Sequence, residues 1–295
     1  MYKLLPAIVL SILLPSNFAN ASSDWTNVVK PIVNGCIDEF QLENLTKAQK
    51  ASIVSKKVKK LSDDRTFTTY ILKNATAYGY PISKIQIETQ EIDKTYYLLG
   101  AVDEYMGRSY EMKNPNWKGF LLKIHDDDSL QIKRIETITE VKPKKINIEF
   151  YNEWNFFFSE EVEKNINSYF NFKKNKFKQK DGFYFYTGKL NVEKVLKASE
   201  NQYLSYLLGV FLLNGSINEN DEGLYEISIA NAPNKFQVLK KILPKLNAYF
   251  VKEEIWHKTP VTFHIKFMPN EELKNLLDKE LTYQTKIIKS PKIRN

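Results

Sequence analysis

The densest combination of basic and aromatic residues lies in one short interval in the second half of the chain. Lysines that neutralise phosphates, together with rings on which bases stack, are the ingredients of single-stranded nucleic-acid binding. The same residues suit an anionic membrane surface, and a solvated basic loop with two rings in the core needs neither partner. The interval, residues 171–180, contains Phe172, Lys173, Lys174, Lys176, Phe177, Lys178 and Lys180.

A second group of polar residues is predicted on one face of a C-terminal sheet. Alternation of apolar and polar residues indicates strands at 225–230 and 261–267. The apolar residues, such as Ile227 and Ile265, would face the core. The polar residues form an outward row that could face a ligand, although one polar sheet face is usual in a two-layer α+β domain. This row comprises Glu226, Ser228, Thr262, His264 and Lys266.

Patterns typical of metal sites and catalysis are weak in this sequence. His257 and His264 flank a predicted hairpin turn, but no cysteine or acidic pair accompanies them. The three aspartates at 126–128 lack the spacing of a calcium loop, and we predict a hairpin turn there. No glycine-rich phosphate loop, Gly-x-Ser-x-Gly elbow or His-Glu-x-x-His helix occurs. The sequence therefore predicts no catalytic residue, metal or cofactor, and it favours binding over enzymatic activity.

The second half of the chain is organised around the apolar run at 201–217. Gln202 to Leu213 is predicted as a helix that is apolar on all sides and therefore buried. Asn214-Gly215 is predicted to end this helix with a left-handed cap. A short strand after Ser216 and the strand at 225–230 follow, then a helix from 233 to 246, strands at 249–256 and 261–267, and a helix capped by Asn270. The predicted order is αββαββα.

This order is opened by Leu207-Leu208-Gly209-Val210-Phe211-Leu212-Leu213-Asn214-Gly215, and it resembles one repeat of the LAGLIDADG homing endonuclease family. Gly209 and Gly215 match the family glycines, and Ser216 matches the serine that commonly follows. The resemblance implies a helix that packs two repeats together, a divalent metal bound by its last acidic residue, and a saddle-shaped sheet that lies on DNA. It covers about 80 of 295 residues.

Two departures from the family pattern limit what the resemblance implies. Asn214 stands where the metal-binding carboxylate belongs, and a neutral amide is a poor ligand for a hard cation that must activate water. Leu212 replaces the earlier acidic position. A second repeat is not predicted, because Leu98–Glu104 matches the start of the motif but overlaps a segment, Thr95 to Val102, predicted as a strand. A buried core helix with no family connection explains the same glycines.

The N-terminus has the order of a cleavable secretory signal. Lys3 precedes an apolar core from Leu4 to Leu14, and Ala19-Asn20-Ala21 supplies small residues before Ser22. Because this core is too short to span a bilayer as a helix, residues 1–21 are predicted to be removed. We expect an exported chain, periplasmic or secreted, without a transmembrane segment after cleavage. Cys36 stands alone, so its thiol is either buried or accessible and reactive, but it forms no intramolecular disulfide.

The remainder of the first half is predicted as one helix on an antiparallel sheet. Helical spacing marks Asn44–Leu61, whose lysine-rich end suits the helix dipole. Strands are predicted at 67–72, 82–87, 95–102 and 120–125, with a hairpin through 126–134. The segment from Lys73 to Pro81 resembles one in small uncharacterised exported proteins of Gram-negative bacteria. A basic link at Glu140–Lys145 leads to a strand at 146–151 and a helix capped by Ser159.

These patterns together predict an α+β protein with two domains, residues 22–142 and 146–285, followed by a disordered basic tail at 286–295. Each domain is predicted as a mainly antiparallel sheet with helices on one face. The formal charge of +8 favours an anionic partner. The favoured function is an exported, non-catalytic binding protein whose partner is an anionic envelope surface or a protein. The alternative is a nucleic-acid-binding protein with a degenerate LAGLIDADG-like repeat.

Overall fold

The α+β class is confirmed by a computed structural model, which combines helices with mainly antiparallel sheets. It describes residues 3–12, 23–33, 45–60, 65–102, 108–111, 119–145, 153–178, 184–217 and 223–284. The chain divides into two compact units, Met1–Ile92 (unit 1) and Asp93–Asn295 (unit 2). The predicted link at 140–145 lies within unit 2, because Pro143 and Lys144 pair as a strand with Phe157 and Phe156.

The described residues of unit 1 form one sheet with two short helices. Trp25 is fully buried in its core, and its indole N–H donates to the hydroxyls of Ser23 and Ser52. The strands run in the order β1-β5-β4-β2, with β3 also paired to β4, and all pairs are antiparallel except β2 with β4. The elements are β1 (Lys3–Ile12), β2 (Ser23–Asp24), α1 (Thr26–Val33), α2 (Lys47–Ser52), β3 (Ile53–Lys60), β4 (Arg65–Ala77) and β5 (Tyr80–Glu91).

The predicted helix at Asn44–Leu61 is wrong beyond its first turns. Thr46 caps α2 in a capping box with Gln49, but the helix ends at Ser52 and the lysine-rich remainder is strand β3. The spacing of Val54 and Val58 fits one face of a strand as well as one face of a helix. Pairing with β4 selects the strand. The strands predicted at 67–72 and 82–87 are confirmed as parts of β4 and β5, joined by a tight turn at Tyr78-Gly79.

Unit 2 contains two copies of one order of elements, with an insertion between them. Repeat A (residues 94–167) comprises α3 (Lys94–Ala101), β6 (Arg108–Glu111), β7 (Phe120–His125), α4 (Ser129–Thr139), β8 (Pro143–Lys144), β9 (Trp154–Phe158) and α5 (Glu160–Asn167). The insertion comprises β10 (Phe170–Lys178), β11 (Tyr184–Leu190) and α6 (Val192–Val195). Repeat B (residues 200–282) comprises α7 (Glu200–Asn214), β12 (Gly215–Ile217), β13 (Tyr225–Ala230), α8 (Pro233–Ile242), β14 (Tyr249–Trp256), β15 (Thr262–Met268) and α9 (Glu271–Thr282).

The two repeats also share their sheet topology. In repeat A the strands run β7-β9-β8, and in repeat B the corresponding strands run β13-β15-β14, with every pair antiparallel. Repeat B adds β12 beside β13, whereas β6 of repeat A pairs with β11 of the insertion. The predicted order αββαββα for the C-terminal part is therefore confirmed, and the same order occurs a second time.

Two predictions within repeat A are wrong. Residues 95–102 were expected to form a strand but belong to α3, which Asp93 caps, and the helix is buried along most of its length. The expected hairpin through 126–134 is a short 3-10 turn followed by α4. The strand at 120–125 and the helix capped by Ser159 are confirmed. The predicted strand at 146–151, Cys36, the signal cleavage site and the tail at 286–295 lie outside the described residues.

Candidate functional site

The two repeats meet where α3 packs against α7, and one glycine from each helix makes this contact possible. A β-carbon built on Gly209 would lie 1.9 Å from the carbonyl oxygen of Tyr97, and one on Gly100 would lie 2.1 Å from that of Tyr206. Each glycine therefore touches the residue three positions before the other glycine, so the contact is reciprocal. Such a close backbone approach excludes any side chain at either position.

Side chains from the neighbouring helices hold the C-terminal ends of α3 and α7. The ammonium of Lys235, at the third position of α8, donates to the carbonyls of Gly100 and Val102 at 2.7 and 2.6 Å. The amide of Gln131, at the third position of α4, donates to the carbonyl of Leu212 at 3.0 Å. Each repeat thus supplies a donor to the carbonyls that end the other repeat's helix, which are otherwise left without intrahelical partners.

A buried ion pair provides a second connection between the repeats. Arg134 of α4 contacts the carboxylate of Glu280 of α9, and these side chains are 6% and 0% exposed. The hydroxyl of Tyr97 donates to the same carboxylate at 2.8 Å. Burial raises the pKa of Tyr97 well above its ordinary value of 10, so this hydroxyl stays protonated as a donor. A charge pair buried this deeply requires all of its partners in place.

The face of the repeat B sheet opposite the core carries the polar row predicted from the sequence. The register places Glu226 opposite Lys266, Ser228 opposite His264, and Ala230 opposite Thr262 on β13 and β15. β14 continues the same rows with Lys252, Glu254 and Trp256. We call this set of residues the open face of repeat B. Tyr225, Ile227 and Ile229 point the other way into the core, as predicted.

His264 lies on the open face but is covered rather than exposed. Its side chain is 7% exposed, and the ring centroid of Trp256 lies 4.0 Å from that of the imidazole. The imidazole Nδ1 is 2.7 Å from a Glu226 carboxylate oxygen and 2.8 Å from the Ser228 hydroxyl. Because serine and glutamate approach the same nitrogen, this cluster is not a Ser-His-Glu catalytic triad, in which they would use opposite nitrogens. The cluster is a support for the tryptophan ring.

The tryptophan ring itself is held at its edge. The indole N–H of Trp256 donates to Glu254 at 3.1 Å, and Lys252 forms an ion pair with the same carboxylate at 2.5 Å. The hydrogen bond from Lys252, then that from Trp256, lowers the pKa of Glu254 below its ordinary value of 4.5. The hydrogen bond to Glu254 raises the pKa of Lys252. At neutral pH both groups are therefore charged, and the acceptor of the indole is a carboxylate.

Repeat A carries a related cluster on its own sheet. The ring of Trp154 lies opposite His125, with centroids 5.3 Å apart in an edge-to-face arrangement. The ammonium of Lys123 lies 4.5 Å from the centre of the Trp154 ring. Leu122 and Ile124 alternate with these residues and are buried. In the described part of each repeat, one tryptophan therefore has a histidine and a lysine near it. In repeat B the lysine is Lys258, whose ammonium lies 5.8 Å from the centre of the Trp256 ring.

The other predicted binding residues lie on the insertion. The basic interval forms most of β10 rather than a loop, and Lys173 is exposed there while Phe172 is half-buried. The side chains of Lys174, Lys176, Phe177 and Lys178 lie outside the described part, and so does the whole of Lys180. The structure brings together Thr262, His264 and Lys266, but it describes no contact between them and the basic interval.

The helix predicted at 202–213 is confirmed as α7, but its end differs from the prediction. Gly215 is extended, with φ −92° and ψ 154°, not left-handed, because it begins β12 and pairs with Ile227. A β-carbon there would lie 2.1 Å from the Phe211 ring, so space and not backbone conformation requires the glycine. The amide of Asn214 donates to the carbonyl of Val210 at 3.2 Å, which turns it back onto its own helix.

Sequence reasoning missed Trp154, Trp256 and Glu254 as members of the site. Trp256 ends a predicted strand, and only the alternation from Lys252 through Glu254 to Trp256 could have placed it beside His264. Among the described residues, no group of three His, Cys, Asp or Glu side chains is arranged to hold a metal ion. Within the same residues, no helix combines the length and apolar character needed to cross a bilayer.

No protein-family model matches the chain, and no curated protein matches it. The geometry of the two repeats and their sheet faces is therefore the basis for assigning a function.

Proposed function

We propose that unit 2 is a nucleic-acid-binding module built from two LAGLIDADG-like repeats. The observation that carries the proposal is the reciprocal glycine contact between α3 and α7, made by two copies of the same αββαββα order. The resemblance of the Leu207–Gly215 segment implies this role for its helix, and the second copy supplies the partner repeat within one chain. A homodimer is then not needed to complete the pair.

The charges of the open face agree with an anionic ligand. Both carboxylates are already engaged, Glu226 by His264 and Ser228, and Glu254 by Lys252 and Trp256. Within the described residues, neither Lys258 nor Lys266 forms an ion pair. Phosphates would therefore find two ammonium groups without an ion-pair partner in this part of the chain, Lys258 and Lys266, beside carboxylates that already accept hydrogen bonds. Because Asn214 replaces the metal carboxylate, the proposed activity is binding and not strand cleavage.

The test is a titration of the purified chain with DNA and RNA over a salt series. The logarithm of the association constant should fall linearly with the logarithm of the salt concentration, with a slope that counts the phosphates neutralised. Replacing Lys258 and Lys266 by Ala should make this slope shallower by about one per lysine. Lys241→Ala, on α8 and so on the other side of the repeat B sheet, is the matched control. Absence of binding near physiological salt would contradict the proposal.

A second candidate follows from unit 1, and it retains the export predicted from the sequence. Lys56, Lys57 and Lys59 are exposed along β3, and Val54 and Val58 of the same strand are each 62% exposed. Lysines with exposed apolar groups suit the anionic headgroups and interfacial region of an envelope membrane. Lysines on an edge strand also prevent unwanted strand pairing, which requires no ligand. We therefore place this candidate second.

A further inference from the structure

Trp256 is both exposed and fixed in orientation. About half of the residue, 49%, is accessible to solvent, although it is a large apolar side chain. Its ring packs on His264 and its N–H is held by Glu254, so neither side-chain torsion is free. An aromatic ring that is already ordered loses little conformational entropy when a ligand stacks on it. The ring is therefore a preorganised platform.

The imidazole of His264, which supports the Trp256 ring, carries an unfavourable free energy that an apolar side chain would avoid. The Nε2 atom of His264 is buried and has no hydrogen-bond partner among the described residues. A buried polar atom without a partner is unfavourable. An apolar side chain at this position would support the Trp256 ring without leaving such an atom. The retained imidazole is held on its other side by Glu226 and Ser228, which fixes its plane.

A lysine ammonium lies over the ring of Trp256 and over that of Trp154. The ammonium of Lys258 is 5.8 Å from the centre of the Trp256 ring, and Lys123 is placed similarly over Trp154. Stacking rings with adjacent ammonium groups match the two components of a nucleotide, a planar base and a phosphate. A duplex offers its phosphates to such a surface, but its bases are already stacked on one another, and parting them costs a few kcal/mol per step.

We propose that the open face of repeat B binds single-stranded nucleic acid, with one unpaired base stacked on Trp256 and the neighbouring phosphates on Lys258 and Lys266. This inference rests on the proposed function and specifies its ligand. The ligand is an unpaired strand because an exposed, immobilised ring adds no affinity for a ligand that presents only phosphates.

The test measures the affinity of the full chain for three ligands at one salt concentration. The ligands are a mixed-sequence single-stranded DNA oligonucleotide, the duplex of the same oligonucleotide, and heparin, a polyanion that lacks bases. We expect the single strand to bind more tightly than either competitor. Trp256→Ala should weaken single-strand binding by about tenfold or more, and Trp256→Phe should restore most of the loss. Tyr80→Ala removes an exposed aromatic residue of unit 1 and is the matched control. Circular dichroism of each variant verifies that it is folded.

Three other results would overturn the inference, and they are distinguishable. If the duplex binds as tightly as the single strand or more tightly, and Trp256→Ala has no effect, the protein binds nucleic acid through the phosphate backbone alone. Heparin binding as tight as that of the single strand would identify a general polyanion surface. Binding to none of the three ligands would reject the proposed function itself, and the inference with it.

Discussion

Gly209 has no room for a side chain, and this single residue gives the most direct test of the contact between the repeats. Replacing it by Ala would force a methyl group against the Tyr97 carbonyl, 1.9 Å away, which is packed backbone that cannot move alone. We expect the free energy of unfolding to fall by about 3 kcal/mol, as for other overpacked positions. Urea unfolding followed by circular dichroism measures this change.

The sign of the Gly209→Ala effect is itself informative. In the interior of an ordinary exposed helix, Gly→Ala stabilises by up to about 1 kcal/mol. A stability equal to or above that of the unaltered protein would therefore show that α3 and α7 are not in close contact. Gln237→Ala on the exposed side of α8 is a suitable control, because a surface substitution there should change stability by less than about 0.5 kcal/mol.

At the same scale, the local sequence predicts helix caps and the alternation of side chains along a strand. It does not predict whether a residue on another strand buries a given side chain. Ser159 and Asn270 cap their helices as predicted, because a side chain that accepts from the third N–H is a purely local interaction. His264 was correctly placed on the outward side of its strand, yet it is buried. Its burial comes from Trp256, a residue on another strand, and alternation within one strand carries no information about that ring.

At the scale of elements, three segments are assigned to the wrong type. One of them, 129–134, is predicted as one side of a hairpin but belongs to α4, and the other two share one cause. Residues 94–101 and 53–60 are both short, and each fits a helical and an extended pattern. Tertiary partners decide such cases: α7 receives the first segment as a helix, and β4 receives the second as a strand. A strand predicted at 95–102 conceals the second repeat, although its Leu98-Leu99-Gly100 sequence matches the start of the motif.

The ion pair between α4 and α9 predicts how these two elements depend on each other. Removing one partner, by Arg134→Met or Glu280→Leu, leaves the other charge buried and should destabilise by about 3 to 5 kcal/mol. Removing both replaces two desolvated charges by apolar groups, so the double variant should lose less than the sum of the single losses by about 2 kcal/mol or more. Urea unfolding of the four proteins in the cycle measures the difference, and additive losses would contradict a coupled pair.

At the scale of the whole chain, the two units suggest different surroundings. The function proposed for unit 2 requires a nucleic-acid ligand, whereas the N-terminal sequence and the basic strand β3 of unit 1 favour an envelope location. The two interpretations disagree directly about residues 3–12. These residues belong to the core of the predicted signal and also form strand β1, which pairs along β5. Removal after Ala21 would leave β5 as an edge of the sheet. The same residues cannot serve both roles in one mature molecule.

Expression of the chain with its own N-terminus in a Gram-negative host separates these alternatives. If the signal is cleaved, the intact mass of the periplasmic protein will correspond to a chain that begins at Ser22, and β1 will be absent from it. That protein should sediment with phosphatidylglycerol vesicles but not with phosphatidylcholine vesicles. The double variant Lys57→Glu with Lys59→Glu on β3 should abolish this association, because anionic headgroups attract each lysine by about 1 kcal/mol. Lys133→Glu with Lys241→Glu, at two exposed positions of unit 2, changes the net charge by the same amount and is the control. Recovery of the unprocessed chain from the cytoplasm would exclude the exported function and leave β1 in the sheet, with the nucleic-acid function of unit 2 as the surviving proposal.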